Sequence, residues 1–193
     1  SFYDDLNHYF CNYLMSGIDT RHLGLEFSAE VQLARQLALR AAGAWTDCRY
    51  TSNPEAVEVR ESTGEVQSPE RVYYRNLRTA AGPQAIGTLE LEYTPSSWIF
   101  SVAVNGFAAN YVAPTPLRRT ERVLRRMPRS VALDQEDLGA GATVDLFLGR
   151  TFYVGSQRLG IYAGVDNLLN RRNIRTSGYE SSRVRQNYWG DYV

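Results

Sequence analysis

The sequence contains no lysine. All 21 basic residues are arginine, and 21 acidic residues offset them to a formal net charge of zero. Without a basic surplus the chain lacks the electrostatic footprint of a nucleic-acid binder, and no nucleic-acid partner is expected. Only two histidines occur, His8 and His22, which implies no histidine-built metal site and no Ser-His-Asp set. His22 opens an alternating stretch and reads as structural. The two cysteines, Cys11 and Cys48, fit neither a metal spacing nor a redox motif; a disulfide and two free thiols both remain open. No glycine-rich phosphate loop follows a strand and opens a helix; Gly139-Ala140-Gly141 leads into a strand pattern and reads as a flexible connection. No apolar run approaches the roughly 18 residues of a spanning helix. With a mean hydropathy of -0.37, that excludes a helical membrane protein but not a barrel, whose strands average out near-polar. There is no initiator Met, signal peptide or lipidation motif. Ser1-Phe2-Tyr3-Asp4 and Asp191-Tyr192-Val193 resemble no natural terminus, so the chain is expected to be a segment of a longer protein.

What is abundant is aromatic. Thirteen Tyr, seven Phe and three Trp make up 12% of the 193 residues, a share that suits strands and interfaces. Charged residues at 22% and apolar residues at 44% argue against wholesale disorder.

Period-two alternation dominates the pattern, the mark of strands with one apolar and one polar face. Leu23, Leu25, Phe27, Ala29 and Val31 alternate with Gly24, Glu26, Ser28 and Glu30. Gly87, Leu89, Leu91 and Tyr93 alternate with Thr88, Glu90 and Glu92. Phe100, Val102 and Val104 follow Trp98. Val144, Leu146 and Leu148 alternate with Thr143 and Asp145. Leu159, Ile161, Ala163 and Val165 form another set, closed by Asp166. A weaker sixth stretch runs from Leu37 to Thr51. Residues Val31–Ala42 are rich in helix formers, so a helix there rivals a hairpin turn near Ala34-Arg35; the clean alternation before it favours the hairpin.

Connection lengths alternate too. Turns are short at Val31–Leu37, Thr94–Ser97 and Gly155–Gln157, and long from Ser52 to Pro83, from Ala113 to Gly141 and after Arg171. In an antiparallel meander this places short turns on one side and long loops on the other, an asymmetry typical of outer-membrane barrels and uncommon in compact soluble domains. The acids Glu26, Glu30, Glu90, Glu92, Asp145 and Asp166 would then face a wet lumen or a plug, and the apolar face would meet lipid. Phe27, Trp45, Tyr50, Tyr93, Trp98, Tyr111, Phe152 and Tyr153 fit interfacial girdles.

Thr115 to Arg129 is the most distinctive loop. Thr115 could cap a helix, Pro116 could fill its first turn and Pro128 could end it. Its arginines face only Glu121, which reads either as a solvated loop balancing acids elsewhere or as an attraction for anions. Glu90 and Glu92, about 7 Å apart on one strand face, do not by that spacing make a glycosidase. An enzyme on a β scaffold is the weakest reading, and no cofactor is expected.

Several stretches resemble a known family. Gly164-Val165-Asp166-Asn167-Leu168-Leu169-Asn170-Arg171-Arg172-Asn173-Ile174 looks like the penultimate barrel strand of TonB-dependent outer-membrane receptors, and Thr176-Ser177-Gly178-Tyr179-Glu180 resembles the external loop after it. Gly17 to Glu26 resembles a descending strand of the family, and Ala44 to Pro54 the ascending strand that follows. The resemblance implies an all-β fold: an antiparallel up-and-down meander, about six strands of a transmembrane β-barrel. Residues 1–193 would be part of its C-terminal region, with the plug domain and last strand absent. It further implies outer-membrane localisation and TonB-coupled import of a bulky nutrient such as a ferric chelate, cobalamin or a glycan. Partners would be outer-membrane lipid, the protein's own plug, the TonB complex and the imported substrate. Tyr73, Tyr74, Arg118, Arg119, Arg122 and Tyr179, on long loops, would face the medium and contact substrate. The competing class is a soluble secreted β-sandwich or small-barrel binding module.

Overall fold

The computed structural model describes residues 2–4, 8–126 and 128–172. Among these, the chain forms β1 (Phe2–Asp4), β2 (Tyr9–Ser16), β3 (Thr20–Ala34), β4 (Leu37–Tyr50), β5 (Glu55–Arg60), β6 (Glu70–Arg71), β7 (Ala85–Tyr93), β8 (Trp98–Ala108), β9 (Gly141–Val154) and β10 (Gln157–Val165). They make two antiparallel sheets. The larger is a six-stranded meander in the order β10-β9-β8-β7-β4-β3; the smaller has the order β1-β2-β5-β6. The larger sheet is open: its edge strands β3 and β10 do not pair with each other.

Register shows why the alternation in sequence becomes two unlike faces. Val31, Leu39, Leu91, Val102, Leu146 and Val165 are successive cross-strand partners, one from each strand, so a row of six aliphatic side chains runs straight across the sheet. The row crosses β3 three residues before its last residue and β10 eight residues after its first. The register therefore slides by about one residue per strand. With a rise of ~3.3 Å per residue and a strand spacing of ~4.8 Å, that slide corresponds to a strand tilt of roughly 35°.

The apolar face is uncovered. Leu25 is 67% exposed, Ile161 57% and Val102 42%, and every strand of the meander adds open aliphatic or aromatic side chains to it. Fully covering one such side chain is worth ~1.5–3 kcal/mol, so a face this size leaves a large stabilisation unclaimed by the chain itself. The buried core lies instead in the connections. Ala56, Val72 and Tyr74 pack with Tyr13, Met15, Tyr50 and Leu77, and Val123 packs with Ala132.

Local fit explains two glycines of the large sheet. Phe27 lies across its register partner Gly43, where a Cβ would come within 2.7 Å of the ring. On the opposite face Tyr162 covers its partner Gly149, where a Cβ would lie 2.8 Å from the ring. In both pairs the ring occupies space left by the missing side chain.

Residues Val31–Ala42 form a hairpin, turning at Arg35-Gln36 with a bulge between Gln32 and Ala34. Helix propensity loses because β4 sits between β3 and β7, and its backbone is in ladder register with both. Short turns at 35–36, 94–97 and 155–156 share one edge of the meander, and the long connections share the other. Two expectations need correction. Ser52 to Pro83 is not a plain loop: it carries β5 and β6, which pair into the small sheet with β2. The arginine-rich segment is not one helix but a 3-10 turn (Leu117–Arg119) and two single-turn helices, α1 (Glu121–Leu124) and α2 (Arg129–Ala132). The break falls at Thr120, whose φ of -81° and ψ of 158° are extended. Thr120 bridges Val72, and the Tyr73 amide donates to the Arg119 carbonyl at 2.8 Å, so strand-like pairing takes this backbone out of the helix. Neither Thr115 nor Thr120 caps through its side chain. Cys11 and Cys48 are both buried and are not bonded to each other.

Candidate functional site

The meander's second face is polar and acidic. By register, Glu26, Glu30, Glu90, Glu92 and Asp145 all lie on it, and Asp166 follows one residue past β10. Arg40 of β4 occupies the centre of one row, between Glu30 and Glu90. Its guanidinium donates through Nε to Glu30 at 3.0 Å and through both terminal nitrogens to Glu92, and it lies 3.7 Å from Glu90. Ser101 donates to Glu90 at 2.5 Å. Asn105 donates to Asp145 at 2.5 Å, and the Asn167 amide donates to the other Asp145 oxygen at 2.7 Å. Small residues pave the neighbouring row, Ser28–Ala42–Thr88–Asn105–Thr143, and a concavity of ≈ 820 Å³ opens above it. Alternation in the sequence located five of these acids correctly on one face. It did not single out Arg40, although even parity within β4 was the signal.

The long connections gather the other expected residues into a pad. Tyr74 is 2% exposed; its hydroxyl donates to the Pro114 carbonyl at 2.7 Å, and burial pushes it above the usual tyrosine range. Arg119 is also 2% exposed and donates to the carbonyls of Thr115 and Asp134. Burial, with Arg118 nearby, pulls its guanidinium down to about 10. Arg118 donates to the Val131 carbonyl at 3.0 Å. Arg122 donates at 3.1 Å to Glu58, which also accepts from the hydroxyls of Tyr9 and Tyr13. Tyr73 donates to Glu121 at 2.5 Å, and Arg129 lies 5.6 Å from the centre of its ring. Tyr74 and Arg119 are therefore internal rather than presented to the medium, and Arg118 and Arg122 are engaged within the pad. Within Thr115–Arg129 the exposed arginines are Arg125, Arg126 and Arg129. Sequence reasoning missed Glu58, Tyr9 and Tyr13, because no local motif announces a contact between residues so far apart in the chain. Tyr179 lies outside the described residues.

The Asn-Leu-Leu-Asn run has a clear local role. Asn167 and Asn170 take positive φ values of 52° and 47°, a region that asparagine tolerates better than most residues. The Asn167 side chain accepts from the Arg171 amide and donates to the Arg171 carbonyl, and the Leu168 amide donates to the Val144 carbonyl at 2.7 Å. The run turns the chain as it leaves β10 and ties it back to β9.

Among the described residues no group of three His, Cys, Asp or Glu side chains could hold a metal ion. Among the same residues no helix is long and apolar enough to cross a membrane, which says nothing of a β-barrel. No family model, curated protein or solved structure matches the chain.

Proposed function

We propose that this chain is a wall segment of an outer-membrane β-barrel receptor of the TonB-dependent kind, serving energy-coupled import of a bulky nutrient. The observation that carries the reading is the uncovered apolar face spanning all six strands of the meander. On β3 the apolar positions run from Leu23 to Leu33, which is ~33 Å along the strand and ~27 Å across a bilayer once tilted, close to the lipid-facing band of such barrels. Supporting features are the roughly 35° tilt implied by the register slide, the separation of short turns from long connections, and the aromatic rings gathered at the turn edge. There Trp98 stacks on Phe100 at 5.6 Å, Tyr93 on Phe100 at 6.3 Å, and Arg150 lies over Trp98 and Phe152. The acidic face would line the lumen or meet a plug, and the pad would stand outside the membrane. Ferric chelates, cobalamin and glycans remain the substrate classes that the sequence resemblance suggests.

The test is to express the full-length gene and follow its product. Fractionation with the outer membrane and faster gel migration when unheated support the reading. A fully soluble monomeric product sinks it and favours a secreted β-sandwich or small-barrel binding module. A barrel whose gene encodes no plug-like domain upstream would retain the wall and remove the receptor.

A further inference from the structure

At the long-connection edge, the apolar band of the meander ends on a row of three arginines. Arg21 of β3 is the register partner of Arg49 of β4, and Arg49 is bridged to Arg78. Arg21 shares the parity of Leu23 and Leu25, and Arg49 that of Trp45, so the row faces the same side as the band. Two residues nearer the band, Leu23 is paired with Asp47. That carboxylate serves all three guanidiniums: Arg21 at 3.0 Å, Arg49 at 2.6 Å, and Arg78. Arg78 also donates to the side-chain oxygen of Gln84 at 3.0 Å. Like charges directly opposed on neighbouring strands repel. Three cations around one carboxylate leave a surplus of two, and the Asp47 side chain is only 11% exposed while that of Arg21 is 54% exposed.

We propose that the Arg21–Arg49–Arg78 row binds the phosphate of lipid headgroups in the leaflet at the long-connection edge. The proposal rests on the wall-segment reading above. Arg21 lies two residues beyond Leu23, or ~7 Å along the strand, and the polar headgroup layer is itself ~5–7 Å deep. The row therefore sits where phosphates lie when the aliphatic band is in hydrocarbon. Guanidinium forks match phosphate oxygens in pairs, which lysine cannot do.

The test uses the full-length protein folded into phosphatidylcholine vesicles with and without phosphatidic acid, followed by detergent extraction and native mass spectrometry of retained lipid. The protein should retain phosphatidic acid over phosphatidylcholine, and Arg21→Gln with Arg49→Gln should lower that preference about 25-fold, at about fivefold per surface arginine. Arg21→Gln alone leaves Asp47 with two partners and should lower it about fivefold, which keeps the test intact if the double variant does not fold. Excess inorganic phosphate should not displace the lipid. Equal retention by wild type and variants overturns the proposal. Full displacement by inorganic phosphate overturns it in favour of a free anion. Failure of the wild type to enter either vesicle is a different result and overturns the wall-segment reading instead.

Discussion

Arg40 grips Glu92 with both terminal nitrogens, Nη1 to Oε2 at 2.9 Å and Nη2 to Oε1 at 3.0 Å, while its Nε holds Glu30. One cation thus ties three adjacent strands together at the polar face, β3 through Glu30, β4 through itself and β7 through Glu92. The planar fork explains why arginine occupies this place: a lysine could not serve two carboxylates in this geometry.

Replacing Arg40 with Met removes the shared cation and leaves Glu30, Glu90 and Glu92 as neighbouring like charges. The variant should unfold at lower denaturant than wild type, and the loss should shrink in high salt. Adding Glu30→Gln and Glu92→Gln should recover most of it, because each removes a repelled charge. Denaturant titrations of wild type, Arg40→Met, the Glu30→Gln/Glu92→Gln pair and the combined variant form a cycle that measures the coupling. Simple additivity would mean that the cluster is solvated and contributes nothing as a unit.

Val102 and Ala103 are adjacent on β8 and point to opposite faces, Val102 within the aliphatic row and Ala103 between Glu90 and Asp145. If the aliphatic face lies in lipid, Val102→Arg should cost ~2–4 kcal/mol of folding free energy in vesicles. Ala103→Arg places its cation among carboxylates and should cost much less. Measuring both by folding into vesicles of defined thickness makes the pair its own control. Equal costs would mean that the two faces see the same solvent.

The contrast between those two residues also shows how much was legible in the sequence. Strict alternation in Leu23–Val31, Gly87–Tyr93 and Leu159–Val165 located the strands and assigned their faces, because side-chain direction in a strand follows from chain geometry alone. Turn and loop lengths likewise carried the topology. The second sheet was not legible. β2 and β5 pair only because the chain returns from β4, and neither strand announces its partner. The arginine segment failed for the same reason. Local signals at Thr115, Pro116 and Pro128 spelled a helix, and a long-range bridge from Val72 to Thr120 overrode them. Counting charges could not tell Arg119, which is internal, from Arg126, which is open.

That distinction gives a third prediction. Arg122→Gln removes the cation facing Glu58, whose side chain is only 7% exposed, and should destabilise the protein by about 2 kcal/mol. Arg126→Gln lies on the exposed side of the pad and should leave stability unchanged within about 0.5 kcal/mol. If the proposed receptor takes up an anionic substrate, the order should invert for uptake per folded molecule. Neutralising Arg125, Arg126 and Arg129 together should weaken it, whereas Arg118→Gln should act only through stability. Uptake corrected for folded protein, beside a thermal melt of each variant, separates the two effects. Unchanged uptake in the triple variant would make the arginines a solvated surface.

Alkaline pH should loosen the pad before it loosens the sheet. Burial holds the Tyr13 hydroxyl well above its ordinary value of 10.0, with the Glu58 carboxylate adding to the shift, and burial does the same for Tyr74. The hydrogen bond to Glu121 raises Tyr73. A raised folded pKa means that the native state keeps its proton where the unfolded chain has lost it. The stability linked to these tyrosines is therefore complete below pH 10 and declines as pH rises above 10, since the unfolded state then binds fewer protons. Tyrosinate absorbance from these residues should rise in step with loss of pad structure. Tyr13→Phe removes the ionisable group and should flatten the decline. A Tyr13→Phe variant that declines as steeply as wild type would remove Tyr13 from the account.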